Sequence, residues 1–380
     1  MNDAVIVAAV RTPVGKRNGS LSSIHPADLS AHVLDQIVER TGIDPGTVDD
    51  VVWGCVSQVG EQTFDIARTA VLSAGWPESV PGTTVDRQCG SSQQAVHFAA
   101  AGLISGQYDV VVAGGVESMS RIPMGSAQTN GSPLGRRYRE RYGDEFPNQG
   151  IGAEMIADKW AISRTQLDEF ALASHERAAR ATAAGYFDAE IAPVVVDGVK
   201  VTTDEGIRAG GTVEKLASLK PAFREDGRIT AANASQISDG SAALLMMTSA
   251  AATAAGLTPL ARVHTAAVVG SAPMPMLTGP IPATHKVLAK SGLKIDDIGV
   301  FEVNEAFASV VLAWASEFDV DLATVNPRGG AIALGHPLGG SGARLMTTML
   351  HHMRAENIRY GLQTMCEGGG QANATILELL

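Results

Sequence analysis

The stretch Asp109-Val110-Val111-Val112-Ala113-Gly114-Gly115 is apolar at every position after its first residue. A strand with one wet face would alternate; a run like this belongs to a strand covered on both faces, in a sheet flanked by helices. The residues before it agree. Val5–Val10 and Val51–Val56 have strand character, Asp28–Arg40 and Asp65–Ala74 have helical spacing, and such alternation points to an α/β fold. From Met119 to Ile237 the chain is polar, rich in arginine and poorer in strands, with Gln166–Ala184 its clearest helix. Strand character returns at Ser241–Thr248, followed by a helix to Ala255, and a second alternation begins at Ala261–Val269. It runs through Lys286–Ser291 (helix), Ile298–Val303 (strand), Ala306–Phe318 (helix), a strand ending at Asn326-Pro327, Gly342–Arg354 (helix) and Tyr360–Met365 (strand). The two halves share a plan and little residue identity. We therefore expect an N-terminal core domain of residues 1–118 and 238–257, an inserted loop domain of 119–237, and a C-terminal core domain of 258–380.

Composition excludes several function classes. The chain has 380 residues and a net charge of −11, which argues against nucleic-acid binding because that needs a basic surface. Three scattered cysteines, Cys55, Cys89 and Cys366, cannot make a disulfide framework, and an odd count favours a reducing compartment. The first ten residues lack a basic segment and read as a buried strand, so no signal peptide and a cytoplasmic location are expected. The longest apolar run, Ala242 to Gly256, is short and dotted with Ser and Thr, so no membrane span is expected. The insert holds 15 basic against 16 acidic residues. It is near-neutral on an acidic protein, and its densest basic cluster, Arg136-Arg137-Tyr138-Arg139-Glu140-Arg141, is a candidate contact for a polyanion.

Chemistry-bearing residues cluster in four stretches. In the first, Thr84-Val85-Asp86-Arg87-Gln88-Cys89-Gly90-Ser91-Ser92-Gln93-Gln94-Ala95, a strand end runs into a helix whose apolar face is Ala95, Val96, Ala99, Ala100, Leu103 and Ile104. Cys89 then sits where the helix's unpaired N–H groups favour a thiolate. The residues alone leave open a small buried corner residue instead. The second stretch, Asn304-Glu305-Ala306-Phe307-Ala308, precedes an apolar helix, and Asn304 could equally be its cap. In the third, Gly329 to Gly342, a glycine-dense loop presents His336 before Pro337, where a plain turn histidine is the alternative. The fourth, Cys366-Glu367-Gly368-Gly369-Gly370, follows a strand. No pair of His or Cys has zinc-like spacing, so no metal site is expected, and the glycine loop lacks the lysine of a nucleotide P-loop. His97 is expected to pack in the core and His351-His352 to lie at the surface.

In this order the four stretches resemble those of the thiolases, the acyl-CoA C-acyltransferases, over essentially the whole chain. The resemblance implies a duplicated fold of two βαβαβαββ core domains in five α-β-α-β-α layers, with a loop domain inserted in the first. It implies coenzyme A and acyl-CoA as substrates, with no permanently bound cofactor, and a homodimer or homotetramer. Cys89 would attack and carry the acyl group, and His336 would take its proton and later activate coenzyme A. Cys366 would exchange a proton with the acetyl-CoA enolate. The N–H groups of Cys89 and Gly368 would hold one thioester oxygen, and Asn304, through a water, would join His336 at the other carbonyl. Contacts to coenzyme A are implied at Ser235, Met276, Ala306, Phe307 and Arg224. The branch resembled is that of degradative 3-ketoacyl-CoA thiolases, with biosynthetic acetoacetyl-CoA thiolase the alternative.

Several positions depart from the family. Many thiolases read Cys-Ser-Ser-Gly-Leu-Gln-Ala at the nucleophile, so Gly90, Ser92 and Gln93 differ, and Ser92 and Gln93 are expected to reshape the acyl pocket. Leu277, in Met276-Leu277-Thr278-Gly279-Pro280, is bulkier than the family's glycine. A His-Met pair of short-chain members is replaced by Asn148-Gln149. Glu367 stands where an apolar residue is common, and its carboxylate is expected to raise the pKa of Cys366.

Overall fold

The computed structural model describes residues 2–129, 131–145 and 147–380. In chain order its strands are β1 (Val5–Arg11), β2 (Gly15–Lys16), β3 (Asp50–Gly54), β4 (Gly82–Val85), β5 (Val110–Ser118), β6 (Val194–Val196), β7 (Val199–Val201), β8 (Ser238–Met247), β9 (Ala261–Gly270), β10 (Val300–Val303), β11 (Tyr360–Glu367) and β12 (Gln371–Leu379). Helices α1 (Pro26–Thr41), α2 (Ile66–Ser73) and α3 (Ser91–Ser105) belong to the first half. The insert carries α4 (Arg136–Tyr142), α5 (Gln149–Lys159), α6 (Arg164–Ala183) and α7 (Val213–Ala217). After it come α8 (Ser249–Ala254), α9 (Pro280–Ser291), α10 (Ala308–Phe318), α11 (Ala331–Leu334) and α12 (Ser341–Glu356).

The strand order β4-β3-β5-β8-β1 of the first half continues as β9-β12-β11-β10 in the second. The join is short, with Val5 opposite Arg262 and Ile6 opposite Ala261. In the first half β3 runs parallel to β4 and β5, while β8 lies antiparallel between β5 and β1. In the second, β10 and β11 are parallel and β12 lies antiparallel between β11 and β9. The halves thus match strand for strand, except that the counterpart of β4 is a single bridge from Phe301 to Val325. The strand expected to end at Asn326-Pro327 is therefore not formed. The amide of Asn326 replaces its ladder, accepting from Val303 N at 2.9 Å and donating to Val303 O at 2.8 Å.

Alternate residues of each strand point to opposite sides, and this sorts the core into layers. Val51, Trp53, Val112 and Leu245 pack on α1 and α2 through Val33, Leu34, Ile37, Ala67 and Val71. Their neighbours Val52, Val111 and Leu244 face the other way, onto Ala95, Ala99 and Leu103 of α3 and Ala343, Met346 and Met349 of α12. That same middle cluster reaches Val263, Val300 and Leu377 of the second sheet half. Beyond it, Phe301, Leu362 and Ile376 meet Ala283, Val287, Val311 and Trp314 of α9 and α10. Five layers, helix–sheet–helix–sheet–helix, result. The apolar run that becomes β5 is buried along its whole length.

The insert is fastened to both halves by buried charge. Arg11 of β1 donates from Nε to Glu190 at 2.6 Å and from Nη1 to Asp204 at 2.7 Å, all three side chains fully enclosed. Thr348 of α12 donates to the same Glu190 oxygen at 2.8 Å. Deleting one member of such a buried set costs about 3–5 kcal/mol, because a charge is left without its partner. Among the differences from expectation, one is a helix start and one a whole helix. Helix α9 starts at Pro280 instead of Lys286, since proline suits the first turn. Helix α5 went unrecognised because Gly150 and Gly152 dilute its periodicity. Asn148 begins it, accepting from Gly150 N at 2.9 Å and Ile151 N at 3.3 Å.

Candidate active site

The nucleophile corner follows from a few short-range bonds. After β4 the chain reverses through Gln88, a non-glycine residue at φ +49°, a conformation that persists only when its surroundings enforce it. Asp86 Oδ1 accepts from Gln88 N at 2.7 Å, and Ser91 Oγ accepts from Arg87 N at 2.9 Å while donating to Gln88 O at 2.6 Å. Helix α3 then begins at Ser91, with Gly90 before it. The amides of Cys89 and of Gly368 both face the Cys89 sulfur. Even so, desolvation first and the Glu367 carboxylate second push the thiol up to about 12. The expectation of a thiolate held by the helix N-terminus is thus corrected. The amides act in the predicted direction and are outweighed.

Cys366 lies at the end of β11, opposite Ala372 of β12. It is buried, and burial, then Cys89, then Glu367 raise its thiol well above the ordinary value. Cys89 opposes its ionisation, which puts the two sulfurs within electrostatic reach of one another. The turn that follows requires glycine at Gly369 and Gly370, whose φ values are +81° and +78°.

His336 and Asn304 meet from two further segments. Ser341 Oγ donates to Pro337 O at 2.8 Å, so its lone pair receives the proton on His336 Nδ1, 2.6 Å away. That leaves Nε2 as the ring's acceptor nitrogen. Asn304 Nδ2 stands 3.4 Å from Nε2. Burial holds the imidazole neutral, with its pKa brought down to about 3. Asn304 is no helix cap. Helix α10 starts at Ala308 behind Phe307, and Asn304 Oδ1 is buried without a partner, an acceptor left for a ligand or a water.

The His336 loop is clamped onto the first half by Glu117 at the end of β5. Its carboxylate accepts from Gly339 N at 2.9 Å, Val56 N at 3.0 Å, Ser57 N at 3.1 Å and Gln62 Nε2 at 2.7 Å. Gly339 itself rests on the backbone of Gly54, Cys55 and Val116, where a Cβ would overlap all three. Ser92 and Gln93, expected to reshape the acyl pocket, are both fully buried. Ser92 Oγ accepts from Ala343 N at 2.9 Å, and Gln93 donates to Thr375 Oγ1 at 2.7 Å and accepts from Gln363 Nε2 at 3.1 Å. Both tie α3 to the second half. Ser341, Glu117 and Gln93 were missed because each lies in a stretch whose spacing reads as ordinary strand, loop or helix.

Family profiles described as "Thiolase, N-terminal domain" and "Thiolase, C-terminal domain" match residues 4–250 and 257–379. The chain belongs to the thiolase family. It is 52% identical to the steroid 3-ketoacyl-CoA thiolase FadA6 of Mycobacterium tuberculosis over 388 residues, covering 100% of this chain and 95% of that one. It is 44% identical to the 3-oxoadipyl-CoA/3-oxo-5,6-dehydrosuberyl-CoA thiolase of Escherichia coli over 399 residues, covering 100% of both. A crystal structure of the Bacillus anthracis acetyl-CoA acetyltransferase superposes with a TM-score of 0.91 at 40% identity, covering 100% of this chain and 99% of that one.

In this thiolase the positions named for coenzyme A fall into two groups. Ser235 N donates to Ala306 O at 2.9 Å, and Ala234 bridges Phe307 beside it. Met276 and Phe307 share the apolar cluster that contains Cys366. Ala306 belongs to the same cluster, so these positions share one region of the second half with Cys366. Arg224 is engaged elsewhere, 2.9 Å from both Asp158 and Asp226. In the basic cluster Arg136 pairs with Glu140, and Arg139 reaches Asp144 at 3.7 Å. His97 is buried as expected, 2.7 Å from Thr375 Oγ1. His351 and His352 are half-buried instead of exposed, because α12 is covered on both sides, and His351 Nε2 lies 3.3 Å from Ala9 O. Among the described residues no three His, Cys, Asp or Glu side chains are grouped to hold a metal, and no helix is long and apolar enough to cross a membrane.

Proposed function

We propose that this chain is a degradative thiolase that cleaves a 3-ketoacyl-CoA with coenzyme A, through an acyl-Cys89 intermediate. The observation that carries the proposal is that Cys89 lies within electrostatic reach of Cys366, while a neutral His336 is held by Ser341 through Nδ1 with Nε2 turned to Asn304. Cys89 gives its proton to His336 Nε2 as its sulfur bonds to the 3-keto carbon. The new Nε2–H is then a donor for the oxyanion, together with the ligand that Asn304 holds. Collapse breaks the bond between the keto carbon and the α-carbon, and Cys366 protonates the departing enolate, releasing acetyl-CoA. His336 then returns its extra proton to the Cys366 thiolate; coenzyme A enters, gives its thiol proton to the freed Nε2 and attacks acyl-Cys89, whose departing sulfur takes that proton as the shortened acyl-CoA is released.

Coenzyme A-dependent cleavage of linear, branched and ring-bearing 3-ketoacyl-CoAs tests the substrate class. We expect chains longer than acetoacetyl-CoA to be cleaved at least as fast. Activity confined to acetoacetyl-CoA would favour condensation of two acetyl-CoA molecules as the physiological reaction.

We also propose that the active form is a homodimer or homotetramer joined along β4, the end strand of the sheet's first half. An uncovered edge invites pairing, and beside β4 Phe64 is 91% exposed. Its neighbour Asp65 accepts from Thr84 of β4 at 2.5 Å. Sedimentation should give at least twice the chain mass for the parent and a smaller particle for Phe64→Asp. A monomeric parent contradicts this. Free Cys55, Cys89 and Cys366 fit a reducing, cytoplasmic setting.

A further inference from the structure

Two of the positions at which this chain departs from the common thiolase pattern touch one another. Gly90 stands where serine is common, one residue after the nucleophile, and Glu367 stands where an apolar residue is common, one residue after the acid cysteine. A Cβ on Gly90 would overlap Glu367 Oε1 and would lie 2.8 Å from Asn373 Nδ2. The carboxyl therefore lies against the backbone of the nucleophile corner, although its own Cα belongs to β11. Both its oxygens are buried without a hydrogen-bond partner, as is the nearby Oδ1 of Asn373.

We propose that Glu367 is a positioning residue of the reaction, controlling the charge around both thiols, and that Gly90 is glycine to admit its carboxyl. The inference rests on the thiolase reading and deepens it. The groups that face Glu367 are Asp86 and Arg87 from the turn before α3, Cys89 beside Gly90, Cys366 on its own strand and the uncharged Asn373 on β12. Glu117 adds a weaker negative contribution at Cys89. An unpartnered carboxylate in such a place is costly and the neutral acid is not. Burial, opposed by Arg87, brings the carboxyl up to about 8. Near neutral pH it is therefore protonated and leaves Cys89 free to ionise against a bound substrate. As pH rises through about 8 it acquires a charge that opposes both thiolates. Serine at position 90 would displace the Glu367 carboxyl from the place it occupies, so the two departures act as one unit.

The test is the pH dependence of Cys89 alkylation by iodoacetamide, followed by peptide mapping and run without any acyl-CoA. Glu367→Gln should alkylate about tenfold faster than the parent above about pH 8, and the two should converge below about pH 7. Superimposable profiles would overturn the proposal. A second arm stands if Glu367→Gln folds poorly. Gly90→Ser should lower thiolysis about tenfold in the parent and much less in Glu367→Ala, since contacting residues are non-additive. Equal losses in both backgrounds would overturn the coupling. Alkylation needs no substrate, so a parent without thiolysis refutes the thiolase reading while leaving the alkylation result to be judged by itself.

Discussion

Cys89→Ala is expected to lose coenzyme A-dependent cleavage of every 3-ketoacyl-CoA, by about 10⁴-fold or more, the scale on which removing a covalent nucleophile acts. Neither of the other sulfurs can take its place. Cys55 is buried behind Gly339, and Cys366 is buried with its thiol held further from ionisation than an exposed one. The N–H groups of Cys89 and Gly368 remain in the variant, since both belong to the backbone, so substrate binding should survive. Thiolysis rates and acyl-CoA affinity measured on the same preparation check this. A residual rate within tenfold of the parent would place the nucleophile elsewhere.

Cys366→Ala separates the two half-reactions. Proton donation to the enolate is needed only when the carbon–carbon bond breaks, so cleavage should fall about 10²–10⁴-fold, the usual contribution of a positioned acid. Exchange of an acyl group between an acyl-CoA and free coenzyme A needs only Cys89, His336 and the two amides. It should stay within about tenfold of the parent. Parallel losses in cleavage and exchange would assign Cys366 a structural role.

Much of this architecture is legible in the amino-acid sequence because strands covered on both faces leave long apolar runs. The β5 run announces a sheet flanked by helices, and its repetition after Ala261 announces the second half. Cys89 is legible because a strand end, a glycine and a helix start follow one another within a few residues. What is hidden depends on groups distant in the chain. The state of the Cys89 thiol is set by burial first and Glu367 second, and both act on it only through the fold. The tautomer of His336 depends on Ser341 and Pro337 O, yet Ser341 looks like the start of a helix. Glu117 reads as the end of an apolar strand until four donors from two segments and the His336 loop are seen around it. Gln93 looks like a polar intruder on a helix and proves to be a tie between the halves.

The central claim is that Cys89 carries the acyl group between the two halves of the reaction. Mass spectrometry of the intact protein after brief exposure to an acyl-CoA without free coenzyme A, followed by peptide mapping, tests it most directly. One acyl group per chain is expected, on the peptide containing Cys89, discharged by adding coenzyme A. An unmodified protein, or an acyl group found only on Cys366 or Cys55, would contradict it.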